Sequence, residues 1–277
     1  MNPPATPATL DAAARREGFL VGAVVGAALM SPPMARRPAA TAMADALLVE
    51  LSSGGVDLRR LARRWNDWLR QAGAGVDPLL TIALDHLREF DAPVATLPAG
   101  SIMAVAAALP ASLASASPRA MIAGSFHVAR LLDPHETTAL AAMATVLTAA
   151  ALLEGRRDFV PDVVAALRAN DANRGLLDAI RTIPRDPSMP PPAPMGENPD
   201  PVAAVTWLLW QVYHRPRGFD VLHDLAHGDR ITPAVGAIAG ALFGARDGMA
   251  SWPQAWLDGA GEDVALRKAL ARRLTSL

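Results

Sequence analysis

The chain of 277 residues contains no cysteine and only one tyrosine. The lack of cysteine excludes disulfides, thiolate nucleophiles and cysteine-ligated zinc. It is also consistent with a reducing compartment, so we expect a cytoplasmic protein. Alternating runs of β-branched residues are missing too, which argues against half-buried strands.

A cluster of one charge sign is also missing. The net charge is −1, and arginine pairs such as Arg15-Arg16 and Arg59-Arg60 are scattered among acidic residues. Nucleic-acid binding needs a clustered basic face, so we expect no nucleic-acid partner. The uncharged run from Phe19 to Met30 is shorter than the roughly 20 residues that span a bilayer. We interpret it as a buried helix and expect no membrane partner.

The residues that are present favour helices. Apolar residues make up 51% of the chain and recur at helical spacing, as at Leu58, Leu61 and Trp65. The segment from Ala139 to Leu153 is apolar on nearly all sides, which is typical of a central helix. We predict an all-α fold in a single compact domain, with roughly a dozen helices.

The domain is expected to cover residues 11–277. Residues 1–10 are predicted to form a disordered tail. Residues 184–201 are rich in proline and predict a long surface loop inside the domain, because the helices on both sides are too apolar to be solvated alone.

Two helices carry glycines at a spacing of four residues. The sets are Gly18, Gly22 and Gly26, and Gly236, Gly240 and Gly244. This spacing places the glycines of each set on one helix face, where another backbone can approach closely. We therefore expect both helices deep in the core, and a bulky residue at Gly240 to cost about 1–3 kcal/mol through overpacking.

The second glycine set lies in the run Val-Gly-Ala-Ile-Ala-Gly-Ala-Leu at residues 235–242, and residues 252–257 read Trp-Pro-Gln-Ala-Trp-Leu. With these motifs, roughly residues 15–277 resemble the ADP-ribosylglycohydrolase family of the dinitrogenase-reductase-activating type. The resemblance implies a helical fold around a cleft. In the family, two magnesium ions lie there among carboxylates and position a water and the ribose.

The carboxylates of the family's metal motifs are replaced in this chain. Its Thr-Asp-Asp-Thr motif resembles residues 38–41 (Pro-Ala-Ala-Thr), and its Asp-Thr-Asp-Thr motif resembles residues 231–234 (Ile-Thr-Pro-Ala). Hard divalent cations need oxygen ligands, usually charged ones, and only Thr41 and Thr232 remain as candidates. The departures from the family pattern predict a degenerate metal site and no cofactor.

The other family motifs define a candidate ligand cleft. Residues 99–104 (Ala-Gly-Ser-Ile-Met-Ala) resemble the family's Asn-Gly-(Ala/Ser)-x-Met-Arg, and residues 132–135 (Leu-Asp-Pro-His) resemble its Thr-His-Pro-His. The ligand-binding residues implied by the resemblance are Thr41, Gly100, Ser101, Met103, His135 and Thr232. Only residues 30–37 join the first two motifs, so much of the family's substrate cover is expected to be missing.

Several of these residues have simpler interpretations. Ser101 is also expected as a helix N-cap, and His135 as a residue of the first turn of a helix. Asp45 and Glu50, which follow Thr41 on one predicted helix, are candidates for a relocated carboxylate site or for an ordinary polar patch.

A different metal site is the main rival. His223 and His227 share a helix face, and Asp229 just beyond them could complete three ligands. The other interpretation is a polar helix end with histidines near the C-terminal dipole.

The predicted function is that of a pseudoenzyme that binds a protein partner or a nucleotide-like small molecule without divalent metal. The alternative is a hydrolase or other enzyme with altered, metal-independent or relocated-metal chemistry in the same cleft. A metal-dependent hydrolase whose motifs align differently is a third hypothesis.

Overall fold

A computed structural model describes residues 10–31, 38–72, 78–90, 95, 101–114, 117–185, 187–188, 190–194, 196, 198–228, 231–250 and 252–275. These residues form fourteen α-helices and one 3-10 helix, with no strand among them. The all-α prediction is therefore confirmed, in one compact domain with slightly more helices than expected.

The helices follow one another along the chain, with the longest connection, residues 183–200, between the ninth and the tenth. The first seven are α1 (Ala12–Leu29), α2 (Ala39–Ser52), α3 (Leu58–Ala72), α4 (Pro78–Phe90), α5 (Ser101–Ala108), α6 (Pro118–Arg130) and α7 (Glu136–Leu153), with the 3-10 helix (Leu109–Leu113) after α5. The second seven are α8 (Val160–Ala169), α9 (Arg174–Thr182), α10 (Pro201–His214), α11 (Gly218–His227), α12 (Pro233–Asp247), α13 (Gln254–Gly259) and α14 (Glu262–Thr275).

Side-chain caps fix several helix starts. Asp11 accepts a hydrogen bond from the amide of Ala14 at 2.7 Å, and Asp200 accepts one from Ala203 at 2.8 Å. Each cap satisfies one of the backbone amides that a helix start leaves without a partner. Asp57 caps the start of α3 in the same way, since its carboxylate accepts from the amide of Arg60 at 3.0 Å.

Helix α7 forms the centre of the molecule. It packs against α5, α6, α10 and α12, and its residues are buried on nearly all sides. Among the described residues it is the one helix long and apolar enough to cross a bilayer, and 78% of it is buried inside the protein. Packing in the core thus accounts for its composition.

Helices α1 and α12 form an antiparallel pair in which backbone touches backbone. Gly18 faces Gly244, Gly22 faces Gly240 and Gly26 faces Gly236, and we call this contact the glycine seam. A Cβ on Gly240 would lie 2.7 Å from the carbonyl carbon of Gly22, and nearer still to its oxygen. Both helices are buried along the seam, as the glycine spacing predicts.

The described residues between α9 and α10 form turns and irregular structure. This is the proline-rich segment 184–201. Residues 1–9 of the predicted tail lie outside the described residues.

Candidate functional site

Four of the six predicted cleft residues lie at helix starts. Thr41 is in the first turn of α2, Ser101 begins α5, His135 is the N-cap of α7 and Thr232 is the N-cap of α12. The four helices pack together, since α12 contacts α2, α5 and α7, and α5 contacts α2 and α7.

The remaining two predicted cleft residues are Met103 and Gly100. Met103 lies within α5 and packs, partly buried, against the hydrophobic core. Gly100 lies outside the described residues, as does the side chain of Ser101.

Thr41 is buried at the start of α2. It is 2% exposed, and its hydroxyl oxygen has no hydrogen-bond partner among the described residues. Its carbonyl accepts a hydrogen bond from Nη2 of Arg267 at 3.5 Å. Thr41 therefore lies beneath the surface, in contact with a charged group from the last helix.

Arg267 brings a positive charge into this region from α14. The residue is 1% exposed, and its guanidinium forms an ion pair with Asp45, one turn beyond Thr41 on α2. The Asp45 side chain is only 19% exposed. A buried charge needs a partner, and this pair supplies one to both residues.

Glu50 is also held by arginines. Its side chain is fully buried, and its two carboxylate oxygens accept separate hydrogen bonds from Nε of Arg60 at 2.6 Å and from Nε of Arg64 at 2.7 Å. The two carboxylates considered for a relocated metal site, Asp45 and Glu50, thus each have a guanidinium as partner, and the two do not form a shared site.

His135 forms a local pair with Asp133. The Asp133 carboxylate is buried; one oxygen lies 2.6 Å from Nδ1 of His135 and also accepts from the His135 amide at 2.9 Å. The other oxygen accepts from the Thr138 hydroxyl at 3.2 Å. The imidazole is 60% exposed, so Nε2 is the ring nitrogen left for a ligand.

The sequence did not lead us to predict the contact between Asp133 and His135. An aspartate two residues before a polar residue at a helix start is the signal for such a turn, because its carboxylate can accept from the amide two residues on.

His223 and His227 stack on α11. Their ring centroids are 4.2 Å apart, and Nδ1 of His227 lies 2.8 Å from the His223 carbonyl oxygen. Asp229, the third predicted ligand, lies outside the described residues. Within the described part of the chain, no group of three or more histidine, aspartate or glutamate side chains could hold a metal ion.

Thr232 serves as a helix cap. Its hydroxyl accepts a hydrogen bond from the amide of Ala234 at 3.1 Å. The neighbouring Ile231 lines a pocket of about 200 Å³ between α10 and α11, which the sequence analysis did not anticipate.

Comparison with known proteins decides the relationship. The model of the ADP-ribosylglycohydrolase family matches residues 9–277. The chain belongs to this family. A solved structure described as an ADP-ribosylglycohydrolase-related protein complex superposes with a TM-score of 0.72, at 20% identity, over 94% of this chain and 98% of that one. No curated protein matches the sequence.

The donor set at the two helix starts does not fit the metal pair that the ADP-ribosylglycohydrolase resemblance implies. By resemblance, the family's aspartates correspond to two residues on α2, Ala39 and Ala40. The other two correspond to Ile231, just before α12, and to Pro233, the first residue of α12. The remaining oxygen donors are the hydroxyls of Thr41, which is buried, and Thr232, which caps α12. Two neutral hydroxyls do not replace the charged oxygen ligands of a divalent cation.

Proposed function

We propose that this member of the ADP-ribosylglycohydrolase family is a pseudoenzyme. It binds a protein partner or a nucleotide-like small molecule and does not use divalent metal. The observation that carries this proposal is the buried ion pair between Arg267 and Asp45, which lies beside Thr41 at the start of α2.

The ion pair changes the electrostatics of the α2 start. A site for two divalent cations needs several uncompensated negative charges, since each cation carries two positive ones. Asp45 is the one carboxylate in the first two turns of α2, and Arg267 already compensates it. A cation at the Thr41 hydroxyl would meet a net charge near zero and a guanidinium hydrogen-bonded to the Thr41 carbonyl.

A binding role is supported by what the chain retains. The family match covers residues 9–277, the described residues form fourteen α-helices, and four of the six predicted cleft residues lie at helix starts. Backbone amides at helix starts favour anionic groups, such as those of nucleotides, without any metal. A protein that keeps this scaffold but has lost the groups that orient the attacking water would bind a ligand without hydrolysing it.

Calorimetry tests the proposal directly. Magnesium and then manganese are titrated into the protein, followed by ADP-ribose with and without a chelator, and an active family member serves as the positive control. We expect no saturable metal binding and no effect of the chelator on ADP-ribose binding. Saturable magnesium binding, or release of ADP-ribose from ADP-ribosylated arginine, would overturn the proposal.

The His135–Asp133 pair favours a second candidate function, metal-independent hydrolysis. A buried carboxylate that orients an exposed imidazole is the arrangement of a general base and its positioning group. Activity on ADP-ribosylated arginine in the presence of a chelator would support this function if His135→Gln abolished it and the neighbouring Glu136→Gln did not. Inactivity of the wild-type protein under those conditions would leave the pseudoenzyme proposal.

A further inference from the structure

The pocket beside Ile231 is not part of the proposed function. It opens between α10, α11 and the residues before α12, and has a volume of about 200 Å³. Helix α10 and its cap residue contribute Trp207, Gln211 and Arg215, and α11 contributes Asp224 and Leu225. Polar groups and apolar groups both line it, as in sites for small molecules.

Arg215 is held in place on one side of this pocket. Its Nε donates a hydrogen bond to Oε1 of Gln211 at 3.1 Å, and its guanidinium carbon lies 5.9 Å from the centre of the Trp210 ring. Gln211 is 5% exposed, so the acceptor of this bond is itself fixed by packing. These two contacts favour one orientation of the guanidinium, although Arg215 itself is exposed.

The same two residues leave several donors without acceptors. Within the described part of the chain, no carboxylate lies within ion-pair distance of Arg215, and its two terminal nitrogens donate no hydrogen bond. The amide nitrogen of Gln211 likewise donates none there. The groups that remain available on the Arg215 guanidinium and the Gln211 amide are therefore hydrogen-bond donors. They match an oxyanion, which has only hydrogen-bond acceptors.

The other walls of the pocket limit the kind of molecule to which the oxyanion can belong. Trp207 and Leu225 are 7% and 5% exposed and present apolar surface, as does Ile231. Asp224 at the rim is 82% exposed and adds negative charge at the mouth, which opposes a doubly charged group more strongly than a singly charged one. The volume is below the 300–1,000 Å³ or so of pockets for drug-sized ligands.

We propose that this pocket binds a small molecule with a carboxylate or a phosphate monoester on an apolar body. Arg215 and Gln211 bind the anionic group, and the walls formed by Trp207, Leu225 and Ile231 contact the body. This inference goes beyond the proposed function and does not depend on whether the chain binds divalent metal.

The test uses three probes with the same aromatic body. Benzoate supplies a carboxylate, phenyl phosphate supplies a phosphate monoester, and benzyl alcohol is neutral. In calorimetry at constant ionic strength, we expect saturable binding of benzoate, of phenyl phosphate or of both, and none of benzyl alcohol. The stronger of the two anions identifies the source of the anionic group, and binding of neither overturns the proposal.

Variants locate the binding. Arg215→Met should weaken the preferred anion at least about tenfold, because it removes the charge-assisted hydrogen bonds. The fold should survive, since the contact of Arg215 with Arg246 is made by the Arg215 carbonyl, at 2.7 Å. Gln211→Leu is the second variant and should also weaken binding.

Arg217→Met is the matched control. It removes the same charge two residues away, from a side chain that is 73% exposed and paired with Asp220 outside the pocket. Its affinity should equal that of the wild type. Equal weakening by Arg217→Met and Arg215→Met, or unchanged affinity in both pocket variants, would overturn the proposal.

Discussion

The glycine seam and the start of α2 obey different constraints. In the seam, a Cβ on any of the six glycines would overlap the backbone of the facing helix, so geometry alone dictates the residue. At the start of α2, the resemblance matches Ala39 and Ala40 to aspartates that the family's chemistry requires, and Ala40 is buried in the core. The chain keeps the glycines that its fold requires, and we propose that it has lost the carboxylates that metal-dependent hydrolysis requires. Membership of a fold family and its chemistry are thus separable.

The largest expected effect is at the seam. Gly240→Ala should destabilise the protein by about 3 kcal/mol or more, the upper end for overpacking, because backbone atoms of Gly22 cannot rotate away as a side chain can. The free energy of unfolding, measured by chemical denaturation, checks this.

Gly124→Ala is the control for that substitution. Gly124 lies within α6, and an added Cβ would meet nothing within 4 Å. The same change should therefore stabilise the protein by about 0.5–1 kcal/mol, the usual gain for alanine over glycine in a helix. Equal effects of Gly240→Ala and Gly124→Ala would show that the helices are not in backbone contact.

The next largest effect is expected at the ion pair between Arg267 and Asp45 on α2. Asp45→Asn should destabilise the protein by about 3 kcal/mol, because it leaves the buried guanidinium of Arg267 without its carboxylate. Thermal and chemical denaturation measure the loss.

A double-mutant cycle separates the pair from its parts. Arg267→Met in the Asp45→Asn background should recover part of the lost stability, since the buried positive charge that Asp45 balances is then gone as well. Strictly additive losses in the cycle would mean that the two side chains do not interact.

A small effect is expected at an exposed cap outside both regions. The backbone amide of Arg60 donates to the Asp57 carboxylate and lowers its pKa below the ordinary value. The stability from this charged cap is present above the unfolded-state pKa, near 4, and is lost as pH falls through the lower folded-state pKa. Asp57→Asn should differ slightly from the wild type at neutral pH and converge with it in acid, as pH-dependent melting would show.

Sequence patterns predict the seam and the buried face of α3 because both arise from spacing within one helix. Leu61 and Trp65, one turn apart, are both fully buried. The His135–Asp133 contact is equally local and could have been predicted from its turn.

Contacts between distant segments could not be predicted in this way. Arg267 reaches Thr41 across 226 residues, and no local pattern records which helix face receives α14. The pocket at Arg215 likewise exists only after α10 and α11 have packed.

Anomalous diffraction from crystals soaked in manganese tests the central claim most directly. We expect no pair of manganese peaks at the starts of α2 and α12. Two manganese ions bound side by side there, near Thr41 and Thr232, would contradict it.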